Sequence, residues 1–168
     1  MRCFGLGLAS SLVGFFAFGS APAQAEGLGW SEQPEDPEAI YGGETVAVCG
    51  DGSQYKFFVN YKEGAKDLVV MLEPGGACWD YAGCSGQTDL GAANPNGIPD
   101  NHLNPASPLA SISPLIRRDL DAPTADWNMV FLPYCTGDVH TGNNVITYTD
   151  PEGVGPDLEF HHAGHTNI

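Results

Sequence analysis

The feature that most constrains this sequence is an apolar run that ends in a pair of glycines. Residues 68–72 read Leu-Val-Val-Met-Leu, and Glu73, Pro74, Gly75 and Gly76 follow them. A continuous apolar run of this length predicts a strand that is buried on both faces of a sheet. Pro74 ends the hydrogen-bond ladder because it has no N–H to donate. Gly75 and Gly76 then permit backbone angles that other residues avoid, and they let a ligand approach the main chain closely.

Three segments give the chain its resemblance to a known family. They are 49–53 (Cys-Gly-Asp-Gly-Ser), 72–79 (Leu-Glu-Pro-Gly-Gly-Ala-Cys-Trp) followed by Cys84, and 127–135 (Trp-Asn-Met-Val-Phe-Leu-Pro-Tyr-Cys). On these segments the chain resembles the pectin acetylesterase family, the Notum-like group of α/β-hydrolase esterases. The resemblance implies the N-terminal part of an α/β-hydrolase fold, in which a β-hairpin is followed by parallel strands.

The resemblance also implies a role for the glycine pair. In α/β-hydrolases a loop after the third strand supplies one backbone donor of the oxyanion hole, so Gly75 and Gly76 are the expected donors, worth roughly 3 kcal/mol each. The family's serine nucleophile, acid and histidine are expected beyond Ile168. The chain is therefore interpreted as a C-terminally truncated serine carboxylesterase that lacks the central nucleophile strand and is inactive alone. Pro74 and Ala77 replace a glycine and a tryptophan of the family pattern, which changes the shape of the acyl pocket.

The ends of the chain predict export. Residues 1–25 combine Arg2, an apolar core and a small-x-small pattern at 23–25, which together are typical of a secretory signal peptide. Residues 26–43 have several prolines and no apolar period, so they are predicted to form an extended or disordered lead. Residues 44–168 form the partial hydrolase domain, in a secreted or periplasmic protein.

Export also predicts disulfides, because Cys3 leaves with the signal and four cysteines remain. Three connectivities are possible. We favour Cys78 with Cys84, since five intervening residues close a small loop just after the glycine turn. Cys49 with Cys135 would then tie the start of the sheet to the end of its later strand.

The charge balance limits the partners. The chain has 6 Lys and Arg against 21 Asp and Glu, a net charge of −15 that becomes −16 when Arg2 leaves with the signal. Nucleic acid is excluded as a partner, because its binding depends on Lys and Arg that neutralise phosphates. The predicted partner is a small-molecule or polysaccharide ester, with a neutral or highly esterified one favoured over a polyanion. No cofactor, metal or membrane contact beyond the signal peptide is predicted.

Local patterns predict the elements around the turn. Residues 44–49 and 54–61 flank a Gly-rich turn and predict a hairpin. Residues 129–132 predict a second buried strand, and the long crossover from 72 implies that the two strands pair in parallel. Residues 109–120 predict the one short helix of that crossover.

Several polar residues suggest chemistry within the chain. Ser85, Asp138 and His162 follow the hydrolase order of serine, acid and histidine, but Gln87 stands where a nucleophile elbow needs glycine. Asp138 and His140 are instead expected to line the cleft. Trp79 is a candidate for the cleft wall, although a core position is favoured. His140, His161, His162, His165 and Asp138 are residue types that bind zinc, but positions lining a loop near the sheet's C-terminal edge are favoured over a metal site.

Two function hypotheses follow. The first is an exported serine esterase that forms and hydrolyses an acyl-enzyme. The alternative is a secreted non-catalytic binding module on a degenerate hydrolase scaffold. A segment resembling the family's nucleophile motif in the DNA downstream of residue 168 would favour the first.

Overall fold

The described part of the chain forms two β-sheets and two short helices. The computed structural model describes residues 24–25, 30–34, 47–100, 102–103, 117–118 and 121–168. The predicted signal peptide up to residue 23 and most of the predicted helix 109–120 lie outside these residues. The elements are β1 (Gln24–Ala25), β2 (Trp30–Pro34), β3 (Lys56–Asn60), β4 (Leu68–Leu72), α1 (Tyr81–Cys84), β5 (Asn128–Leu132), β6 (Asn144–Tyr148), β7 (Leu158–His162) and α2 (Gly164–Asn167).

The larger sheet has five strands in the order β1-β2-β3-β5-β4. β4 and β5 pair in parallel over their whole length, from Leu68 opposite Asn128 to Leu72 opposite Leu132. The predicted parallel pairing is therefore confirmed. The other neighbours in this sheet are antiparallel, so the sheet is mixed.

Within the described residues, the predicted hairpin forms over a single bridge and is much shorter than expected. Of its first strand, residues 47–49 are described, and they contribute one antiparallel bridge between Val48 and Gln54. Gly52 closes the turn with a φ of 80°, and the Cys49 amide donates to the Ser53 carbonyl at 2.8 Å. A strand has only two edges, and those of β3 are occupied by β2 and β5. One edge of β3 therefore pairs with the segment 30–34, which lies within the predicted lead, and not with residues 44–49.

The main core covers one face of this sheet. Phe58 of β3 and the alternating Met129 and Phe131 of β5 point into it and are fully buried. The period of two along β5 places these side chains on the same face. The other buried members of the cluster are Ala47, Cys49, Tyr55, Ile98, Leu103 and Cys135.

β4 is not buried on both faces, which corrects the sequence prediction. Val69 and Met71 pack against the core, but Leu68, Val70 and Leu72 are 55, 47 and 41% exposed. The reason is position, because β4 is the last strand in the order and has a neighbour on one side only among the described strands. An apolar strand thus lies at the edge of the described sheet, with one face partly exposed.

The smaller sheet, β6 paired with β7, was not predicted from the sequence. Its Phe160 is fully buried against the cluster of Cys78, Cys84 and Ala92. The His161 amide donates to the Gly50 carbonyl at 2.9 Å, which attaches β7 to the turn before β3. Both described helices span four residues, and within the described ranges no helix has the length and apolar content needed to cross a membrane.

Candidate functional site

The glycine turn begins where the parallel ladder ends. The Glu73 amide still donates to the Leu132 carbonyl at 2.9 Å, and the Cys78 amide donates to the Gly137 carbonyl at 2.9 Å. Between them, the amides of Gly75, Gly76 and Ala77 donate to no residue in the described part of the chain. Unused backbone amides at the carboxyl end of a strand are the kind of donor from which oxyanion sites are built.

Glycine is required in this turn by packing and not by backbone angle. Neither Gly75 nor Gly76 has a positive φ, so the expectation of unusual backbone angles is wrong. A Cβ on Gly75 would lie 2.7 Å from the Ala93 Cβ and would also contact the Tyr134 ring. A Cβ on Gly76 would contact the carbonyl oxygens of Leu90 and Gly91, which are backbone atoms. The turn therefore lies directly against the main chain at 90–91.

Glu73, immediately before the turn, is a buried carboxylate that the sequence analysis missed. Its side chain is 3% exposed. Its Oε2 accepts hydrogen bonds from the Tyr134 amide at 2.8 Å and from His102 Nε2 at 3.1 Å. Asn94 Nδ2 donates to both carboxylate oxygens, at 3.3 and 3.4 Å, and to the Tyr134 carbonyl at 2.8 Å. The available signal was an acidic residue directly after five apolar ones.

The predicted cleft residue Asp138 organises a loop. Its carboxylate accepts hydrogen bonds from four groups, with distances between 2.7 and 3.1 Å: Thr136 Oγ1 and the amides of His140, Gly142 and Gly164. Two of these amides lie within the loop 136–142, and the fourth donor is the first residue of α2. A carboxylate bonded in this way fixes the loop against α2.

The loop brings His140 to the glycine turn. The His140 Nε2 lies 3.1 Å from the Glu73 carbonyl oxygen, and since a carbonyl only accepts, this nitrogen carries the proton. The imidazole packs on the Tyr134 ring at a centroid distance of 4.7 Å. Burial raises the pKa of the Tyr134 hydroxyl, whose oxygen accepts a hydrogen bond from the Val139 amide at 2.7 Å. His140 and Tyr134 are thus direct neighbours of the turn.

Trp79 lies apart from the core. Its side chain is 76% exposed, so the core interpretation is wrong. It follows the glycine turn by three residues, after Cys78. The wall of the cleft remains its proposed position.

The loop that carries His140 is strained. Val139 and His140 both have a φ of 58° and Gly137 has a φ of 62°, a left-handed conformation that β-branched residues rarely adopt. Such strain costs of order 1–3 kcal/mol per residue and persists where the surroundings enforce it. Here the Asp138 carboxylate and the Tyr134 hydroxyl provide that enforcement.

We expect Val139→Gly to stabilise the protein by about 1 kcal/mol, because relief of strain exceeds the added freedom of the unfolded chain. The Val139 side chain is exposed, so little packing is lost. Urea unfolding without reductant measures the difference. Val154→Gly is the matched control, since Val154 is an exposed loop valine without a positive φ. Equal effects of the two substitutions would contradict the assignment of strain.

Both predicted disulfides are present. Cys78 pairs with Cys84 and Cys49 pairs with Cys135. The first closes a loop around α1, whose N-cap Asp80 accepts from the Gly83 amide at 2.7 Å. The Gly83 carbonyl in turn accepts from the Ala92 amide at 2.9 Å. The disulfide loop thus holds the segment against which Gly76 packs.

Ser85, Asp138 and His162 do not form a catalytic triad. Ser85 follows the short helix α1, not a strand, and its hydroxyl donates to the Ala82 carbonyl at 3.2 Å. His162 Nδ1 bonds the Thr136 carbonyl at 2.9 Å and Nε2 bonds the Tyr148 hydroxyl at 2.9 Å. Ser85, Asp138 and His162 therefore use other partners.

The considered histidine metal site is likewise dispersed. His161 lies in β7, 3.6 Å from Glu159, and His165 lies in α2. In the described ranges, the ligand atoms of Cys78, Cys84 and His162 form the one group of three that meets within 4.8 Å. The two sulfurs of that group are bonded to each other and are not available to a metal ion.

The chain is similar to known proteins in sequence and in structure. Palmitoleoyl-protein carboxylesterase notum2 of Xenopus laevis is 27% identical over 111 residues, which cover 65% of this chain and 22% of that protein. The solved structure of the Wnt deacylase Notum from Drosophila matches with a TM-score of 0.42 and 17% identity, over 72% of this chain and 32% of that chain. The chain thus spans about a fifth of the length of its curated relative. A model of the pectinacetylesterase family matches residues 40–164, and the chain belongs to that family.

Proposed function

We propose that the chain is the N-terminal part of an exported carboxylic ester hydrolase, in which the amides of Gly75 and Gly76 stabilise the oxyanion. The observation that carries this proposal is the run of three unused amides directly after a parallel strand. The amide of Ala77 is a further candidate donor. Membership of an esterase family supports the reaction class, and two disulfides support an oxidising compartment.

In the proposed mechanism, a serine activated by histidine and an acid attacks the ester carbonyl. The tetrahedral intermediate places a negative charge on the former carbonyl oxygen, where the glycine-turn amides donate to it. Collapse releases the alcohol and leaves an acyl-enzyme, which water then hydrolyses. The serine, acid and histidine are proposed to lie beyond Ile168. A neutral ester suits the strongly acidic chain better than a polyanion.

The open edge of β4 supports a larger domain. Parallel strands are normally covered on both faces, whereas Leu68, Val70 and Leu72 are exposed. A further parallel strand beside β4, followed by a helix over this face, would cover all three side chains. The match to 22% of the relative's length is consistent with such an extension.

A second candidate is a non-catalytic binding module, favoured by one observation. Ser85, Asp138 and His162 each bond to other groups, so the described residues offer no assembled triad. The DNA downstream of residue 168 distinguishes the two candidates. A nucleophile motif there supports the esterase, and its absence supports the binding module.

The activity test compares the chain with any longer form from the same gene. We expect residues 26–168 not to hydrolyse 4-nitrophenyl acetate above a buffer control, and the longer form to do so. Ser85→Ala is the control, because the Ser85 hydroxyl is bonded to the Ala82 carbonyl. Serine-dependent turnover by the short chain that disappears in Ser85→Ala would revive the internal triad.

A further inference from the structure

Glu73 has an arrangement that stability alone does not explain. Burial of a carboxylate is costly unless donors surround it, and an apolar side chain would continue the β4 pattern without that cost. Glu73 instead receives hydrogen bonds from three separate segments, through Asn94, His102 and Tyr134. These residues are 21, 29 and 61 positions away along the chain.

Two of these segments lie against the glycine turn. The Tyr134 amide donates to the Glu73 carboxylate, and the Tyr134 ring packs against Gly75. Asn94 also donates to this carboxylate, and its neighbour Ala93 packs against Gly75. The main-chain carbonyl of Glu73 receives the proton of His140 Nε2. Glu73 therefore connects the turn to its surroundings through both its side chain and its backbone.

We propose that Glu73 is a positioning residue for the oxyanion donors. Its carboxylate fixes Asn94 and Tyr134, and so keeps Ala93 and the Tyr134 ring packed against Gly75. This packing in turn sets the direction of the Gly75 and Gly76 amides. This inference rests on the proposed function of the turn, and it gives the buried glutamate a role in aligning that site. Glu73 itself is not expected to contact substrate.

The test measures the mobility of the turn rather than the stability of the protein. In the ¹⁵N-labelled full chain, we expect NMR backbone order parameters of about 0.85 for the amides of Gly75, Gly76 and Ala77. In Glu73→Gln we expect these values to fall to about 0.6. The glutamine keeps the size of the side chain but turns an N–H₂ group towards the donors. Asp150→Asn is the matched control, because Asp150 accepts from three backbone amides in the exposed hairpin loop. It should leave the order parameters of the turn unchanged.

A second variant keeps the test decisive if Glu73→Gln does not fold. The centroid of the His102 ring lies 6.0 Å from that of Phe58. His102→Phe keeps an aromatic ring at this position and removes one donor to the Glu73 carboxylate. We expect the order parameters of the turn to fall in this variant too. Folded variants with a turn as rigid as in the original chain would overturn the proposal. The order parameters do not depend on ester hydrolysis. They therefore test the positioning role of Glu73, while the hydrolysis assay tests the proposed function.

Discussion

We expect Gly76→Val to lower turnover by about 100- to 1000-fold in a longer form of the protein that carries the proposed nucleophile. The added side chain would meet the carbonyl oxygens of Leu90 and Gly91, so the turn or that backbone must move. The amides of Gly76 and Ala77 are then displaced from their proposed position beside the developing oxyanion. The Michaelis constant should change little, because the ground-state carbonyl depends less on these donors than the transition state does. Steady-state kinetics on a soluble ester measure both quantities.

Gly64→Val is the control for Gly76→Val. Gly64 has a φ of 78° and no atom within 4 Å of an added Cβ, so the substitution strains a remote turn without touching the site. It should reduce stability and leave turnover nearly unchanged. If Gly76→Val kept full turnover, the glycine pair would be an ordinary turn. Circular dichroism must show that both variants are folded, since the contact at Gly76 involves backbone that cannot rotate away.

The second large effect is on stability. We expect replacement of both Cys49 and Cys135 by serine to cost about 4.6 kcal/mol of stability, against about 2.2 kcal/mol for the pair Cys78 and Cys84, because closing the longer loop removes more entropy from the unfolded chain. The sequence separations are 86 and 6. The total free energy of unfolding of a domain is only about 5–15 kcal/mol. The variant without Cys49 and Cys135 should therefore be unfolded or nearly so at 37 °C. Urea unfolding of both variants without reductant tests the order, and equal losses would contradict the entropic explanation.

The strands next to the turn were predictable because their signal is local. The apolar runs 68–72 and 129–132 gave β4 and β5, and the length of the connection gave their parallel pairing. The partner of β3 was not predictable, because β2 lies more than 20 residues earlier in a segment without an apolar period. The exposure of β4 depends on its place in the strand order. That place is not encoded in the strand's own residues.

β6 and β7 were missed for a different reason. β6 contains Val145, Ile146 and Thr147, a β-branched run that favours a strand. β7 reads Leu-Glu-Phe-His-His, and its adjacent histidines suggested chemistry instead of structure. The pairing across a loop of nine residues, 149–157, supplied no short-turn signal.

The site shows the same division between local and distant information. The two disulfides were predicted from export, cysteine count and spacing, whereas Gly75 and Gly76 were proposed as donors from the resemblance. Glu73 was missed because its burial depends on donors from Asn94, His102 and Tyr134. The reason for glycine at 76 was also missed, since it lies in the carbonyl oxygens 14 and 15 positions later. Contacts between remote segments therefore explain what composition and motifs did not.

The bond between Cys49 and Cys135 makes a covalent ring of the chain between them. β3, β4, α1 and β5 all lie inside this ring, and so do Arg117 and Arg118 in the connection before β5. A protease that cuts after Arg117 would therefore release no fragment, because each piece retains one of the two cysteines. The nicked and intact proteins would migrate alike without reductant and separate only after reduction.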